Sequence, residues 1–125
     1  MARLLVIEIE HLPYEELSPN ARLHWSKVAA FRKVAREEIG WLAKAKWGQQ
    51  PAMDLAELRY QFNLPDKRCR DVDNLIASCK AFQDGLIDAG VIVYDDAQHL
   101  KLAPPVVTFG TQARTYIYLK EVSRV

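Results

Sequence analysis

The chain has 125 residues, half of them hydrophobic, with 17 Lys and Arg against 16 Asp and Glu and a formal net charge of +1 at pH 7. That length suits one domain over residues 1–125, with an ordinary core that needs neither disulfides nor a structural metal. The balanced charge argues neither for nor against nucleic acid. No apolar run approaches the roughly 20 residues of a membrane span, and no charged, then apolar, leader opens the chain, so the expectation is a soluble cytoplasmic protein without a membrane partner.

Leu5, Ile7 and Ile9 alternate with Val6, Glu8 and Glu10, which predicts a half-buried opening strand. The period is lost over 11–19. Asn20, Arg22, His24 and Trp25 then combine hydrogen-bonding, cationic and stacking groups of the kind that touch phosphates and unpaired bases. The alternative is an ordinary loop whose Trp25 covers the core edge. From about Ser26, the residues Val28, Phe31, Ala35, Ile39 and Leu42 fall at helical steps and predict an amphipathic helix ending near Trp47-Gly48. Its other faces carry Lys27, Arg32, Lys33, Arg36, Lys44 and Lys46 against Glu37 and Glu38, either as a solvated surface or as a phosphate track.

After a break at 48–51, residues 55–63 alternate again, with Leu58, Tyr60, Phe62 and Leu64 on one face. This second strand leads into Pro65-Asp66-Lys67-Arg68-Cys69-Arg70, a basic turn. Lys67, Arg68 and Arg70 serve there as counterions to the acids that follow, as holders of a phosphate, or as both. Cys69 and Cys79 form no CxxC pair, and no second Cys pair or His-x-x-x-His completes a zinc site, so reduced thiols are the simpler reading.

The acids stand in Arg70-Asp71-Val72-Asp73-Asn74-Leu75. Carboxylates at i and i+2 point the same way only where the backbone is extended, because in a helix they lie roughly 200° apart. Asp71 is therefore expected to end a loop and Asp73 to start a helix, at or near its N-cap. Leu75, Cys79, Phe82 and Leu86 continue that helix and Gly90 stops it. The apolar run Val91 to Tyr94 reads as a short strand, followed by Asp95-Asp96. Oxygen ligands from a loop, a helix start and a strand end suit Mg²⁺ or Mn²⁺. An EF-hand is disfavoured, since it wants Gly where Ile76 stands and Glu where Phe82 stands. A lone Asp-x-Asp is more often a cap than a metal site, but its combination with Asp95-Asp96-Ala97-Gln98 is far more specific.

Beyond Asp96 the chain is mostly extended through Leu100, Leu102 and 104–109, with the prolines marking an edge strand or a bend. A turn over 110–113 leads to a last strand in which Arg114, Tyr116 and Tyr118 alternate with Thr115, Ile117 and Leu119. The order β-α-β-α-β-β-β gives an α/β or α+β fold, a single domain with a mixed β-sheet packed by two main helices.

With these motifs in place the chain resembles the RusA-like family of Holliday-junction resolvases, small Mg²⁺-dependent endonucleases that act as homodimers on four-way DNA junctions. The resemblance is carried by 70–75, Lys80, Gly85-Leu86, Ala89-Gly90 and 95–98, and more faintly by Leu12-Pro13 and 18–22. It implies a RusA-like domain in which Asp71, Asp73 and Asp96 bind the metal and Lys80 is the catalytic lysine, and the adjacent Asp95 is a further candidate metal ligand. It further implies a homodimer on branched DNA, for which Asn20, Arg22, His24, Lys27, Lys67, Arg68 and Arg70 are the candidate nucleic-acid contacts. The family pattern places its lysine about one helical turn after the second Asp, where Ala77 stands. A three-residue insertion accounts for Lys80, and so does a plain i,i+4 ion pair with Asp84 on a solvated face. Two other functions fit the same residues: a branched-DNA-binding module with weakened catalysis, and a metal-dependent phosphodiesterase acting on another nucleic acid.

Overall fold

The fold is given by a computed structural model that describes residues 2–124. Along the chain come β1 (Leu4–Ile9), a 3-10 turn (Glu15–Leu17), α1 (Trp25–Trp47), β2 (Ala56–Leu64), α2 (Val72–Ala77) and α3 (Lys80–Asp88). The strands β3 (Leu100–Leu102), β4 (Val106–Phe109) and β5 (Arg114–Glu121) complete it. β5 lies between β1 and β2 and is antiparallel to both, while β3 and β4 run parallel to successive parts of β2 on its other edge. The result is the expected mixed sheet in an α+β domain.

Alternation along the strands sends one face inward. Ile7, Ile9, Leu58, Phe62, Ile117 and Leu119 are buried there against Ala35, Ile39, Ala43, Phe82 and Leu86 of the helices. Where α1 and α3 pack, a Cβ added to Gly85 would lie 2.5 Å from the Arg36 carbonyl oxygen and 3.0 Å from the Gly40 nitrogen. The two backbones therefore touch, and Arg36 grips Asp88 with Nε–Oδ2 at 2.5 Å and Nη2–Oδ1 at 2.8 Å. Among the described residues no helix is long and apolar enough to cross a membrane.

Several elements differ from the sequence reading. The buried stripe of α1 continues through Ala43 and Trp47, whereas Leu42 is 38% exposed. Trp25 is 75% exposed and covers no core edge. The single helix expected after Asp73 is two helices. Ser78 closes α2 by donating its hydroxyl to the Asn74 carbonyl at 2.7 Å, and Cys79 (φ −89, ψ 0) leaves helical geometry before α3 restarts. The run Val91 to Tyr94 is no strand: Ile92 makes one isolated bridge to Met53, and Val91 and Ile92 are apolar because they are buried. The extended segment after Asp96 splits into β3 and β4 around Pro104-Pro105, which have no N–H to give a ladder.

Candidate active site

The basic turn is pinned from both sides. Asp66 Oδ1 accepts from the Arg70 guanidinium at 2.8 Å and from the Arg68 backbone N–H at 2.9 Å. The Arg70 bond and then the Arg68 N–H hold the Asp66 carboxyl below its ordinary range. The Arg68 side chain crosses to Glu15 on the 3-10 turn at 3.2 Å. Arg68 and Arg70 are thus partnered by Glu15 and Asp66 rather than by the acids that follow. Lys67 is exposed and forms no ion pair among the described residues. Between the turn and the 3-10 segment lies an open cavity of about 270 Å³, bordered by Pro13, Glu15, Ser18, Arg68, Cys69 and Asp71 among others.

Asp71, with extended backbone (φ −81, ψ 117), is the N-cap of α2, and its Oδ1 accepts the Asp73 N–H at 2.9 Å. The cap is therefore Asp71, and Asp73 sits two residues inside, in the first helical turn. Both are exposed at the positive end of the helix, where negative charge is favoured. Among the described residues the Asp73 carboxylate has no hydrogen-bond or ion-pair partner.

Lys80 opens α3. Its ammonium donates to Asp84 Oδ1 at 3.0 Å, the expected i,i+4 pair, and also to Asp95 Oδ2. Partial burial pulls the Lys80 pKa down, but the bonds from Asp95 and Asp84 outweigh it and the net displacement is upward. Asp95 is largely enclosed, its side chain 11% exposed, while neighbouring Asp96 is exposed. Asp96 Oδ1 accepts the Gln98 N–H at 3.1 Å, and its carbonyl accepts from His99 and Leu100 at 3.1 and 2.9 Å, which forms the turn before β3. Behind Lys80, Gln83 Nε2 donates to the buried Tyr60 hydroxyl at 3.1 Å. Burial, with Cys79 and Asp95 nearby, pushes the Tyr60 phenol well up, and burial does the same to the Cys79 thiol.

The structure thus pairs Asp71 with Asp73 and Lys80 with Asp95. The two pairs flank α2, six residues and about 9 Å long. Among the described residues no group of three or more His, Cys, Asp or Glu side chains is arranged to hold a metal ion.

The N-terminal segment reaches the same cavity through Ser18, whose hydroxyl accepts the Asn20 N–H at 3.3 Å. His24 caps α1, its Nδ1 accepting the Ser26 N–H at 3.2 Å, and its ring lies 5.3 Å from that of Trp25. Arg22 and Lys27 are exposed and make no ion pair among the described residues. Sequence reasoning missed Glu15, Ser18 and Cys69 as cavity walls, and the Lys80–Asp95 bond. Only the Glu15-Glu16 pair, opposite in charge to the distant basic turn 65–70, hinted at the first.

No protein-family model matches the chain. It is similar to an uncharacterized protein of Xylella fastidiosa (strain Temecula1), 35% identical over 80 residues, a match covering 62% of this chain and 52% of that protein. The chain therefore spans about half the length of that relative. Among solved structures it is similar to the crystal structure of thiamine monophosphate kinase from Aquifex aeolicus. That match has 10% identity and a TM-score of 0.43, over 98% of this chain and 34% of that one.

Proposed function

We propose that the chain is a metal-dependent endodeoxyribonuclease of the RusA-like kind, which resolves four-way DNA junctions by paired phosphodiester hydrolysis in recombination and repair. The observation that carries this reading is the start of α2, where Asp71 and Asp73 stand exposed beside a basic turn, with Asp73 bound to no cation among the described residues. An all-oxygen donor set suits Mg²⁺ or Mn²⁺, and Mg²⁺ binds through one or two carboxylates plus substrate phosphates rather than in an all-protein cage. Asp71 and Asp73 would hold it with the substrate phosphates, and Asp96, which is not gathered with them into a three-carboxylate group among the described residues, would complete the set on binding. The ion's chemistry there is to acidify a water and offset charge on the phosphodiester.

The protein's own groups do the rest. Asp95 is engaged by Lys80 and so acts as a positioning residue, keeping the ammonium charged and aimed beside Asp96. Lys80 supplies positive charge to the pentacovalent phosphorus, and because its side chain is 62% exposed that contribution grows as bound DNA excludes water. The break between α2 and α3 falls between Ala77 and Lys80. Three inserted residues are absorbed by ending one helix and beginning another, which leaves the lysine at the acidic loop. Lys67, Arg68 and Arg70, with Asn20, Arg22, His24 and Lys27, hold the phosphates, and Trp25 offers a ring to an unpaired base. A homodimer supplies the two symmetric cuts that resolution requires.

A second reading, a branched-DNA-binding module with weakened catalysis, is favoured by Lys80 being tied to Asp84 and Asp95. Cleavage of a four-way junction in Mg²⁺, with wild type and Asp73→Asn, separates the two: binding without cleavage selects the module.

A further inference from the structure

We infer that the helix-free face of the sheet is a stacking platform for unpaired bases of single-stranded DNA, separate from the acidic site. The inference rests on the proposed DNA substrate and adds a second contact surface to it. In the ladder register, Tyr118 of β5 stands opposite Arg59 of β2, and Tyr116 opposite Gln61. All four project from the face that no helix covers, because their neighbours Leu58, Tyr60, Ile117 and Leu119 are buried on the other. The two tyrosine rings lie side by side, 6.2 Å apart between centroids and 21° from parallel. Side chains at i and i+2 of one strand present such rings in the order in which successive bases follow along a strand.

The rings are held. Tyr118 donates its hydroxyl to Gln61 Oε1 at 3.2 Å, Gln61 Nε2 donates to Asn63 Oδ1 at 3.1 Å, and Thr108 closes the chain on Asn63. The Arg59 guanidinium lies 5.4 Å from the Tyr118 ring centre. Each tyrosine borders its own depression, one of about 330 Å³ beside Tyr116 and one of about 320 Å³ beside Tyr118.

Charge selects the occupant. Among the described residues Arg59, Arg114, Lys120 and Lys101 share this face with Glu8 and Glu57, an excess of two positive charges on a chain whose net charge is +1. Arg114 is spent on Glu8 at 3.3 Å, whereas Arg59, Lys120 and Lys101 form no ion pair among the described residues. A second copy of the chain is a poor occupant. Among the described strand residues, the aliphatic side chains on this face are Leu4 and Val6 on edge strand β1 and Val106 on β4, leaving the centre polar where a homodimer interface is apolar. Rings, free cations and a fixed amide ladder suit bases with a phosphate backbone.

The test is anisotropy of a labelled 12-base oligothymidylate with the full chain in EDTA, for wild type and for the double variants Tyr116→Ala/Tyr118→Ala, Tyr116→Phe/Tyr118→Phe and Arg59→Ala/Lys120→Ala. The alanine pair is expected to weaken binding about tenfold or more, and the phenylalanine pair, which keeps both rings, to stay within about twofold. The Arg59→Ala/Lys120→Ala variant should bind with a shallower salt dependence. Three results overturn the platform: no binding by wild type, equal binding by a normally melting alanine variant, or equal loss in the phenylalanine variant. A dimer that dissociates in the alanine variant also overturns it, by giving the face to a second copy. Single-strand binding without junction cleavage keeps the platform and removes the nuclease. Junction cleavage without tyrosine-dependent binding does the reverse.

Discussion

Lys80 and Asp95, fifteen residues apart, are joined across the gap between the start of α3 and the loop before β3, so the two neighbours Asp95 and Asp96 have different surroundings. Asp95 faces the lysine and Asp96 faces solvent. Asp95→Asn should lower the cleavage rate about tenfold with an unchanged Mg²⁺ midpoint, and Lys80→Ala should lower it about a hundredfold. Asp96→Asn should instead shift the Mg²⁺ midpoint upward. Metal titrations of the cleavage rate read this directly, and identical midpoint shifts in Asp95→Asn and Asp96→Asn would refute the division.

Gly85 and Gly40 meet at the α1–α3 contact but are not equivalent. A Cβ at Gly85 meets backbone at 2.5 Å, whereas a Cβ at Gly40 lies 3.8 Å from the nearest atom. Gly85→Ala should therefore cost about 1–3 kcal/mol through overpacking, and Gly40→Ala should be neutral or slightly stabilising, since alanine is the better helix former. Urea unfolding of both variants checks this, and equal midpoints would show that the helices move apart freely.

Acid should weaken the same contact. The Arg36 bond holds the Asp88 carboxyl below its ordinary value of 3.8 despite partial burial. A carboxylate depressed on folding contributes stability above its unfolded pKa and loses it as pH falls through the lower folded value. The pair is nearly half exposed, so solvent screening keeps its contribution small. Asp88→Asn should lower the melting temperature slightly at pH 7 and narrow the difference between pH 7 and pH 3. An unchanged difference would assign the acid loss to Asp66 and Glu121, whose carboxyls are also depressed by arginine partners.

The two thiols should report on separate regions. Cys69 is exposed at the cavity between Arg68 and Arg70, whereas Cys79 is fully buried and its pKa is pushed up. A thiol reagent should modify one cysteine in the native protein and the second only on unfolding. Saturating four-way junction should slow modification of Cys69. Undiminished reactivity in the complex would place the DNA away from this cavity.

Much of this arrangement was legible in the chain because burial follows strand alternation: Leu5, Ile7 and Ile9, and Leu58, Tyr60, Phe62 and Leu64, are buried as their spacing implies. The site was legible as a list of residues rather than as a geometry. Period 3.6 continues through Leu75, Cys79 and Phe82 whether or not the helix does, so Ser78 turning its hydroxyl back onto Asn74 was invisible. Val91 and Ile92 were apolar for burial in a turn, which a short run does not distinguish from a strand. The Lys80–Asp95 bond joins residues with no periodic relation, and only the packing of the 93–99 loop against α3 reveals it.

The central claim is tested most directly by incubating a labelled four-way junction and a linear duplex of matching sequence with wild type and Asp73→Asn, in Mg²⁺ and in EDTA. The account predicts paired symmetric nicks in the junction alone, lost in EDTA and lost in Asp73→Asn while junction binding persists. Tight junction binding with no cleavage in Mg²⁺ or Mn²⁺, or cleavage that survives Asp73→Asn, would contradict it.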